Sequence, residues 1–584
     1  MTDPTEPRFD AGSGPRHSPS ASTPMVVAVA LTVLALGIVA AVARGDLDAS
    51  AGPDPASAAT PTPPVGPSAS KPVASPEPSP SPVDHSRVGP WTVGAPWGSV
   101  VGLTMFRGNP TRNFYGLGPV PSDPQVAWRY PDRPMCTTEV VGYRTVTPGE
   151  EAGEVDGAAA QDDPPPSDPP PSDPPPSDPP PSEEPAPAPS PDPEPTRVPV
   201  TKLWCGTGWT GQPVIWERPD GVTEAIVGAY DGAVHFLDVA TGRPTRPVFQ
   251  TGDMIKGSVT LDPDGYPILY FGSRDNHLRA VALDRPEPTE LWSLPPNANR
   301  VWNNDWDGNP VIVDGILFEG GEDSWFYAIE LNRRYGSDGL VAIDPKLLVQ
   351  VPGWTEDQFR QVGDRNVSIE NSVAVFGDRV YFANSGGRVV GLDVSGVRDG
   401  EAPVVLDYWV GDDVDATIVV DDEGMLYVSV ELERFNARSE ELGQLVKLDP
   451  SRPDDPFVWG VAVPPLLSGD DGGIWATPAL HGGVLYVTTH PGELLAVDRA
   501  TGEVVYREDI GYHEWSSPVV VDDTLVVGLC EQAGLRAYDV TDPTTPRPLW
   551  HSRGLVGGCV ESTPAVWKGR IVVGSRDGYL YGFR

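Results

Sequence analysis

Between Gly211 and Arg584 one pattern recurs eight times. A small residue, often followed by proline, opens a short β run. A Gly/Asp turn leads to a second run, a two-residue turn to a third that often closes on Asp, and a fourth run often ends in an aromatic. Clear copies are TPALHGGVLYVTTHPGELLAVDRATGEVVY (Thr477–Tyr506), SPVVVDDTLVVGLCEQAGLRAYDVTDPTTPRPLW (Ser517–Trp550) and TPAVWKGRIVVGSRDGYLYGF (Thr563–Phe583). Four short strands in a period of roughly 40–60 residues are the signature of a β-propeller. The expected fold is all-β: eight blades of four antiparallel strands. The units start at Pro213, Val259, Pro310, Ser372, Ile418, Pro478, Pro518 and Pro564. Turns such as Asp231-Gly232 and Asp577-Gly578 supply the positive φ that tight hairpins need.

The last unit stops at Arg584 without a fourth strand. Pro124–Tyr130, PQVAWRY, has the form of the missing piece, with Trp128 as its aromatic. The expectation is that this N-terminal strand completes the last blade and closes the ring, which removes exposed sheet edges. The competing arrangement has seven blades with irregular joints and Trp128 on a decorating loop.

The rest of the chain reads as non-globular or membrane-directed. Residues 25–43, MVVAVALTVLALGIVAAVA, form an apolar run of about 28 Å if helical, close to the ~30 Å hydrocarbon core. It reads as a retained single-span transmembrane helix, with 1–24 as a short cytoplasmic tail; a cleaved signal peptide ending near Ala41-Val42-Ala43 is the alternative. The Pro/Ser/Ala-rich stretch 44–88 reads as a disordered stalk. Residues 89–584 read as the propeller domain, interrupted at 147–199 by an acidic insert containing DPPPSDPPPSDPPPSDPPPS. The expected location is the cell membrane, single-pass, with the propeller on the extracytoplasmic side. The formal net charge of −41 disfavours nucleic-acid and anionic-membrane partners.

Four cysteines are present: Cys136, Cys205, Cys530 and Cys559. Beyond a membrane helix, disulfides are the default. Three pairings are open. Proximity in the repeat arrangement favours Cys136–Cys205, which would staple the base of the insert, with Cys530–Cys559 across the last two units. No CxxC or CxxCH occurs.

Two columns stand just ahead of the inner strands. Two residues before each unit start are Gly211, Gly257, Gly308, Glu370, Ala416, Ala476, Ser516 and Ser562, with Glu370 the exception among small residues. One residue earlier are Thr210, Lys256, Asp307, Ile369, Asp415, Trp475, Trp515 and Glu561. At one mouth of the channel, Asp307, Glu370, Asp415 and Glu561 would converge with Lys256 into an acidic funnel, with oxygens nearby on Asn303, Asn304, Asp305, Asp412 and Asp413. Such a funnel suits a hard cation such as Ca²⁺, or a cationic ligand. The plainer outcome is that these carboxylates pair with Lys256 and water and bind nothing specific. No nucleophile elbow, P-loop or HExxH is present. The histidines fall at unrelated blade positions.

The small-residue-Pro starts, Gly-Ser-x-Asp-Gly turns and late Trp resemble the repeats of quinoprotein dehydrogenases. They also resemble the non-catalytic propeller of the outer-membrane barrel-assembly lipoprotein. From about Gly102 to Arg584 the chain resembles membrane-anchored actinobacterial propellers of the PQQ-binding-like class, including the opening LTMFRGNPTRNFYGLGPVP (Leu103–Pro121). The resemblance implies fold far more than activity. In quinoprotein dehydrogenases a Glu, an Asn and an Asp hold Ca²⁺ against the quinone and a Trp stacks on it; their adjacent-Cys disulfide and haem motif are absent here, and no cofactor position is carried over. The leading expectation is a non-catalytic binding or assembly scaffold for an envelope protein, peptide or cell-wall ligand. The runner-up is a PQQ- and Ca²⁺-dependent dehydrogenase. A carbohydrate-active enzyme using two funnel carboxylates is the weaker third.

Overall fold

The computed structural model describes residues 87–146 and 196–584. The tail 1–24, the apolar run 25–43, most of the stalk 44–88 and most of the insert 147–199 lie outside the described residues. Among the described residues no helix is long and apolar enough to cross a membrane.

Eight sheets follow one another along the chain, their inner strands beginning at Val214, Thr260, Val311, Ala374, Val419, Ala479, Val519 and Ala565. Adjacent strands within the blades are antiparallel, as in the second blade, where Ile268–Ser273 pairs with both Thr260–Leu261 and His277–Ala282. Second and third strands are covered on both faces by neighbouring blades, so Ile268–Ser273 is buried throughout. This is why such strands read as continuous apolar runs instead of alternating. Fourth strands meet solvent; Thr289–Leu294 is exposed or half-buried along its length.

The ring closes as the sequence suggests. Val126–Tyr130 pairs antiparallel with Leu580–Phe583, the last strand of the chain, and completes the eighth blade. Trp128 is buried there and donates its indole N–H to the Val239 carbonyl of the first blade at 2.8 Å. Gly242, at φ +68°, lets the ring lie flat on the turn: a Cβ there would sit 2.5 Å from it. The same device joins the fifth and sixth blades, where Trp459 packs on Gly502 and donates to the Arg499 carbonyl. The aromatic at the end of these units is thus an inter-blade clasp on the Asp-x-x-x-Gly turn of the next unit.

Blade register is set by hydroxyls at the start of the inner strands. The backbone N–H of Gln212 donates to Ser258 Oγ, Asn309 to Ser372, Ser372 to Thr417, Thr417 to Thr477 and Thr477 to Ser517, all within 2.8–3.1 Å. The residue after each of these is often proline, which has no N–H to leave unsatisfied along the inner edge and keeps its carbonyl as an acceptor.

Those carbonyls find donors in a segment that the repeats do not contain. Residues 102–117 cross the end of the propeller axis and bond to every blade. Gly102–Leu103 extends the first blade, and Gly116–Leu117 runs parallel to the inner strand of the eighth. Between them, carbonyls of Thr104, Pro110 and Thr111 accept from Leu261, Val375 and Val420 of the second, fourth and fifth blades. Asn309 of the third blade accepts from the Phe106 N–H. Arg107, fully buried, donates to the carbonyls of Pro478 and Pro518 in the sixth and seventh blades. Arg112, also fully buried, donates to Val373, Phe106 and Asn309. Both arginines adopt left-handed backbone conformations, φ 55° and 63°, a local cost of order 1–3 kcal/mol each that persists only where surroundings over-determine it.

Outside the ring, Cys136–Val146 and Thr196–Cys205 form a long antiparallel hairpin, with Cys136 opposite Cys205 and joined to it. Residues 196–199, read from sequence as the end of the insert, belong to its second strand. Cys530 is joined to Cys559. Both bonds are the pairing that proximity favoured.

Arg112→Met deletes five donated bonds and leaves carbonyls buried without partners; we expect a loss of at least ~3 kcal/mol in guanidinium unfolding. Trp128→Ala should cost about 3–5 kcal/mol, whereas Arg547→Ala, on an exposed side chain, should stay within ~0.5 kcal/mol.

Candidate functional site at the rim

The inner strands run from a rim, two residues ahead of the hydroxyl positions, toward the segment 102–117. Counting from the hydrogen-bond ring in seven blades, and from the equivalent Thr563 in the eighth, gives the rim positions: Thr210, Lys256, Asp307, Glu370, Asp415, Trp475, Trp515 and Glu561. This corrects the placing of one residue. Glu370 is level with Asp307 and Asp415, and the small-residue position of that blade is Asn371, not Glu370. The reason is that Ser372, not the residue before it, bonds in the ring. Asn371 fills the space left, donating to the carbonyls of Ala383 and Val414 and accepting from the Ala383 N–H. Ile369, which the sequence reading aligned with Asp307, is buried one position further out.

A second ring faces the first. Extending the antiparallel register four residues past each inner pair puts Tyr230, Arg274, Glu322, Ser385, Glu431, His490, Cys530 and Arg576 opposite the rim residues. Contacts bear this out: Glu370 accepts from Ser385 at 3.1 Å, Trp475 lies 4.2 Å from His490 between ring centroids, and Glu561 is 3.6 Å from Arg576. Apart from Cys530, read from sequence as a disulfide partner, none of this second ring was singled out from sequence. Its signal is a position one or two residues past the end of a second strand, as Glu322 past Ile316–Gly320 and Arg274 past Ile268–Ser273, and it has meaning only once strand pairing is known.

The rim divides into an acidic and an aromatic sector. In the acidic sector, Asp307, Glu322 and Glu370 each offer an oxygen within 4.8 Å of the others. Lys256 Nζ holds Asp307 Oδ2 at 2.7 Å, and Ser368 donates to Glu370 at 2.6 Å. Arg274 ties Asp305 to Glu139, and Arg434 contacts Asp413 at 3.3 Å. Buried oxygens of Asp307, Glu322, Asp413, Asp415 and Glu431 still lack a partner. Burial pushes the Glu370 carboxyl up to about 7, with Lys256 opposing and Asp307 and Asp413 adding to the rise. Burial pushes Asp305 and Asp413 up to about 6. It raises Glu322, Asp415 and Glu431 well above the usual range, each further raised by neighbouring carboxylates.

The aromatic sector holds Trp475, Trp515 and Trp209, ring centroids 5.7–5.8 Å apart. His490 accepts from Trp515 Nε1 at 2.8 Å and bonds Tyr512, and burial keeps its imidazole down at about 3 and therefore neutral. Lys256 Nζ lies 5.5 Å over Trp209, where the two sectors meet.

Of the four acids expected to converge, Asp307 and Glu370 do so, joined by Glu322. Asp415 couples to them through the field of Glu370 and Asp413. Glu561 lies apart, beside His513, Arg576 and the Cys530–Cys559 pair.

Residues 441–584, roughly the last quarter of the chain, match the family model described as outer membrane protein assembly factor BamB. That span is propeller. No curated protein sequence matches the chain. Among solved structures, the quinohemoprotein alcohol dehydrogenase of Comamonas testosteroni is 13% identical, with a TM-score of 0.44 over 65% of this chain and 76% of that one. BamB of Moraxella catarrhalis is 13% identical, TM-score 0.32, over 64% and 81%. The computationally designed Ika8 protein is 11% identical, TM-score 0.42, over 62% and 92%.

Carboxyls raised in the folded state hold protons that the unfolded chain, titrating near pH 4, has released. That stabilisation is complete below about pH 4 and is lost as pH rises through 6–7 and beyond. Melting temperature should therefore be higher at pH 5.5 than at pH 8.5, and Glu322→Gln with Glu431→Gln, which mimic the protonated form, should narrow the difference.

Proposed function

We propose that the protein is a non-catalytic binding scaffold of the cell envelope, anchored through residues 25–43 and displayed on the extracytoplasmic side, whose rim takes a cationic group of an envelope protein, peptide or cell-wall ligand. The observation that carries this reading is the cluster of buried Asp307 and Glu322 with half-buried Glu370, in which Asp307 Oδ1 and Glu322 Oε1 have no partner. Ionising these groups together is costly, and an arriving cation relieves that cost. The neighbouring wall of Trp209, Trp475 and Trp515 adds faces on which a cation or an apolar stem can rest. Two disulfides agree with an oxidising compartment. The family model matched by residues 441–584 is named for an assembly factor, a kind of protein that works by binding others, in keeping with this reading.

Ca²⁺ suits the three-carboxylate cluster by ligand chemistry. A quinone cofactor of the PQQ type suits it poorly. That molecule carries several carboxylates, and the nearby cations Lys256, Arg274 and Arg576 already face Asp307, Asp305 and Glu561. We therefore derive no redox step.

The test is a tryptophan-fluorescence and calorimetric titration of the full chain with Ca²⁺, an oligolysine peptide and an oligoglutamate peptide at low salt. Saturable binding of at least one of the two cations, weakened about tenfold or more by Glu322→Gln and Asp307→Asn, with no response to oligoglutamate, is the expected result. Absence of binding by both cations would sink the reading. Saturable quenching by PQQ in the presence of Ca²⁺ would replace it with the dehydrogenase.

A further inference from the structure

The last two blades bring four metal-competent side chains to one point of the rim. His513 and Cys530 flank the inner hairpin of the seventh blade, built from Val519–Val521 and Thr524–Leu529. Cys559 and Glu561 precede Ala565–Trp567, the inner strand of the eighth. One ligand atom from each of the four lies within 4.8 Å of all the others. Cys530 Sγ is 3.8 Å from His513 Nε2, and Cys559 Sγ is 3.5 Å from Glu561 Oε1. Zinc bonds of about 2.0–2.3 Å in a tetrahedron put ligand atoms roughly 3.3–3.8 Å apart, so two edges of such a site are already at length.

The two sulfurs are joined to each other in this structure, and a disulfide offers no thiolate. We propose that reduction of Cys530–Cys559 converts this corner of the rim into a Cys₂HisGlu site for a borderline divalent cation of the zinc type. A dithiol supplies two electrons and two protons: its sulfurs close to a disulfide, the Cys530–Cys559 bond breaks, and two thiols form. The cation then displaces both thiol protons to solvent. The sulfurs must part by roughly 1.7 Å, which rotation about the Cα–Cβ bonds can supply. Arg576, now 3.6 Å from Glu561, is the group the metal must outcompete for that carboxylate.

The site differs in kind from the acidic sector. The other metal-competent group among the described residues is all carboxylate and suits hard cations. The two are therefore separable by spectroscopy: the carboxylate group cannot give sulfur ligation, and the other reducible pair, Cys136–Cys205, belongs to neither metal-competent group and is told apart by the Cys530→Ser variant.

The experiment uses the full chain, reduced with dithiothreitol that is then removed without oxygen, and titrated with Co²⁺. The expected result is a thiolate-to-cobalt charge-transfer band with intense tetrahedral d–d absorption, saturating at one equivalent and bleached by Zn²⁺. The band should be absent in the unreduced chain, strongly weakened in His513→Ala and Glu561→Gln, lost in Cys530→Ser, and kept in Glu322→Gln. No band in the reduced chain, or a band unaffected by both His513→Ala and Glu561→Gln, overturns the proposal.

Discussion

A closed ring of eight blades has its inner strand edges turned toward an axis, and the polar groups on those edges need partners. Residues 102–117 supply many of them at one end. Two buried arginines do most of it with side chains, Arg107 reaching the sixth and seventh blades and Arg112 the third and fourth. Charge-assisted donors are roughly twice as strong as neutral ones, and a planar guanidinium can serve several carbonyls at once. Burial pulls Arg112 down to about 9, with Glu319 opposing, which leaves it charged at neutral pH. The proline-rich strand starts and this segment are two halves of one solution: the strands present acceptors without donors, and the segment brings donors. Because it contacts every blade, the segment also ties all eight to one another at that end.

The other end of the axis is built on a different principle. There the rim gathers carboxylates faster than it gathers cations, and the shortfall shows as buried oxygens without partners. Replacing such a cluster by apolar side chains of similar volume is often neutral or stabilising. Its presence is therefore poorly accounted for by stability alone, and this is the physical argument for reading the rim as a place where something positive arrives. The two ends together give an axis with two buried arginines at one pole and, at the other, carboxylates only partly matched by Lys256, Arg274, Arg434 and Arg576.

Much of this was legible in the sequence because it is local. Hairpin turns, apolar runs and aromatic ends repeat within single units, and the orphan strand Val126–Tyr130 could be matched to the unit that lacked one. The observed cysteine pairs were the ones favoured by proximity, across the insert and across the last two units, among three pairings that stayed open. What the sequence hid is long-range. Leu103–Pro121 could be recognised as familiar, yet nothing in LTMFRGNPTRNFYGLGPVP says that its arginines will find carbonyls of residues 373, 478 and 518. Glu370 was misaligned by one residue because the unit containing it has Asn371 where the others have a small side chain, and only the ring of hydroxyl bonds restores the register. Glu322 and Glu431 were passed over because they join the rim through strand pairing, a relation that is invisible along the chain.

The hairpin Cys136–Val146 and Thr196–Cys205 leaves the ring and is clamped at its root by a covalent bond. At its far end Val146 is paired with Thr196, so the two ends of everything between them are held at ladder distance whatever that length is. The backbone pairing and the disulfide thus give the segment that carries the DPPPS units one fixed doorway to the eight blades.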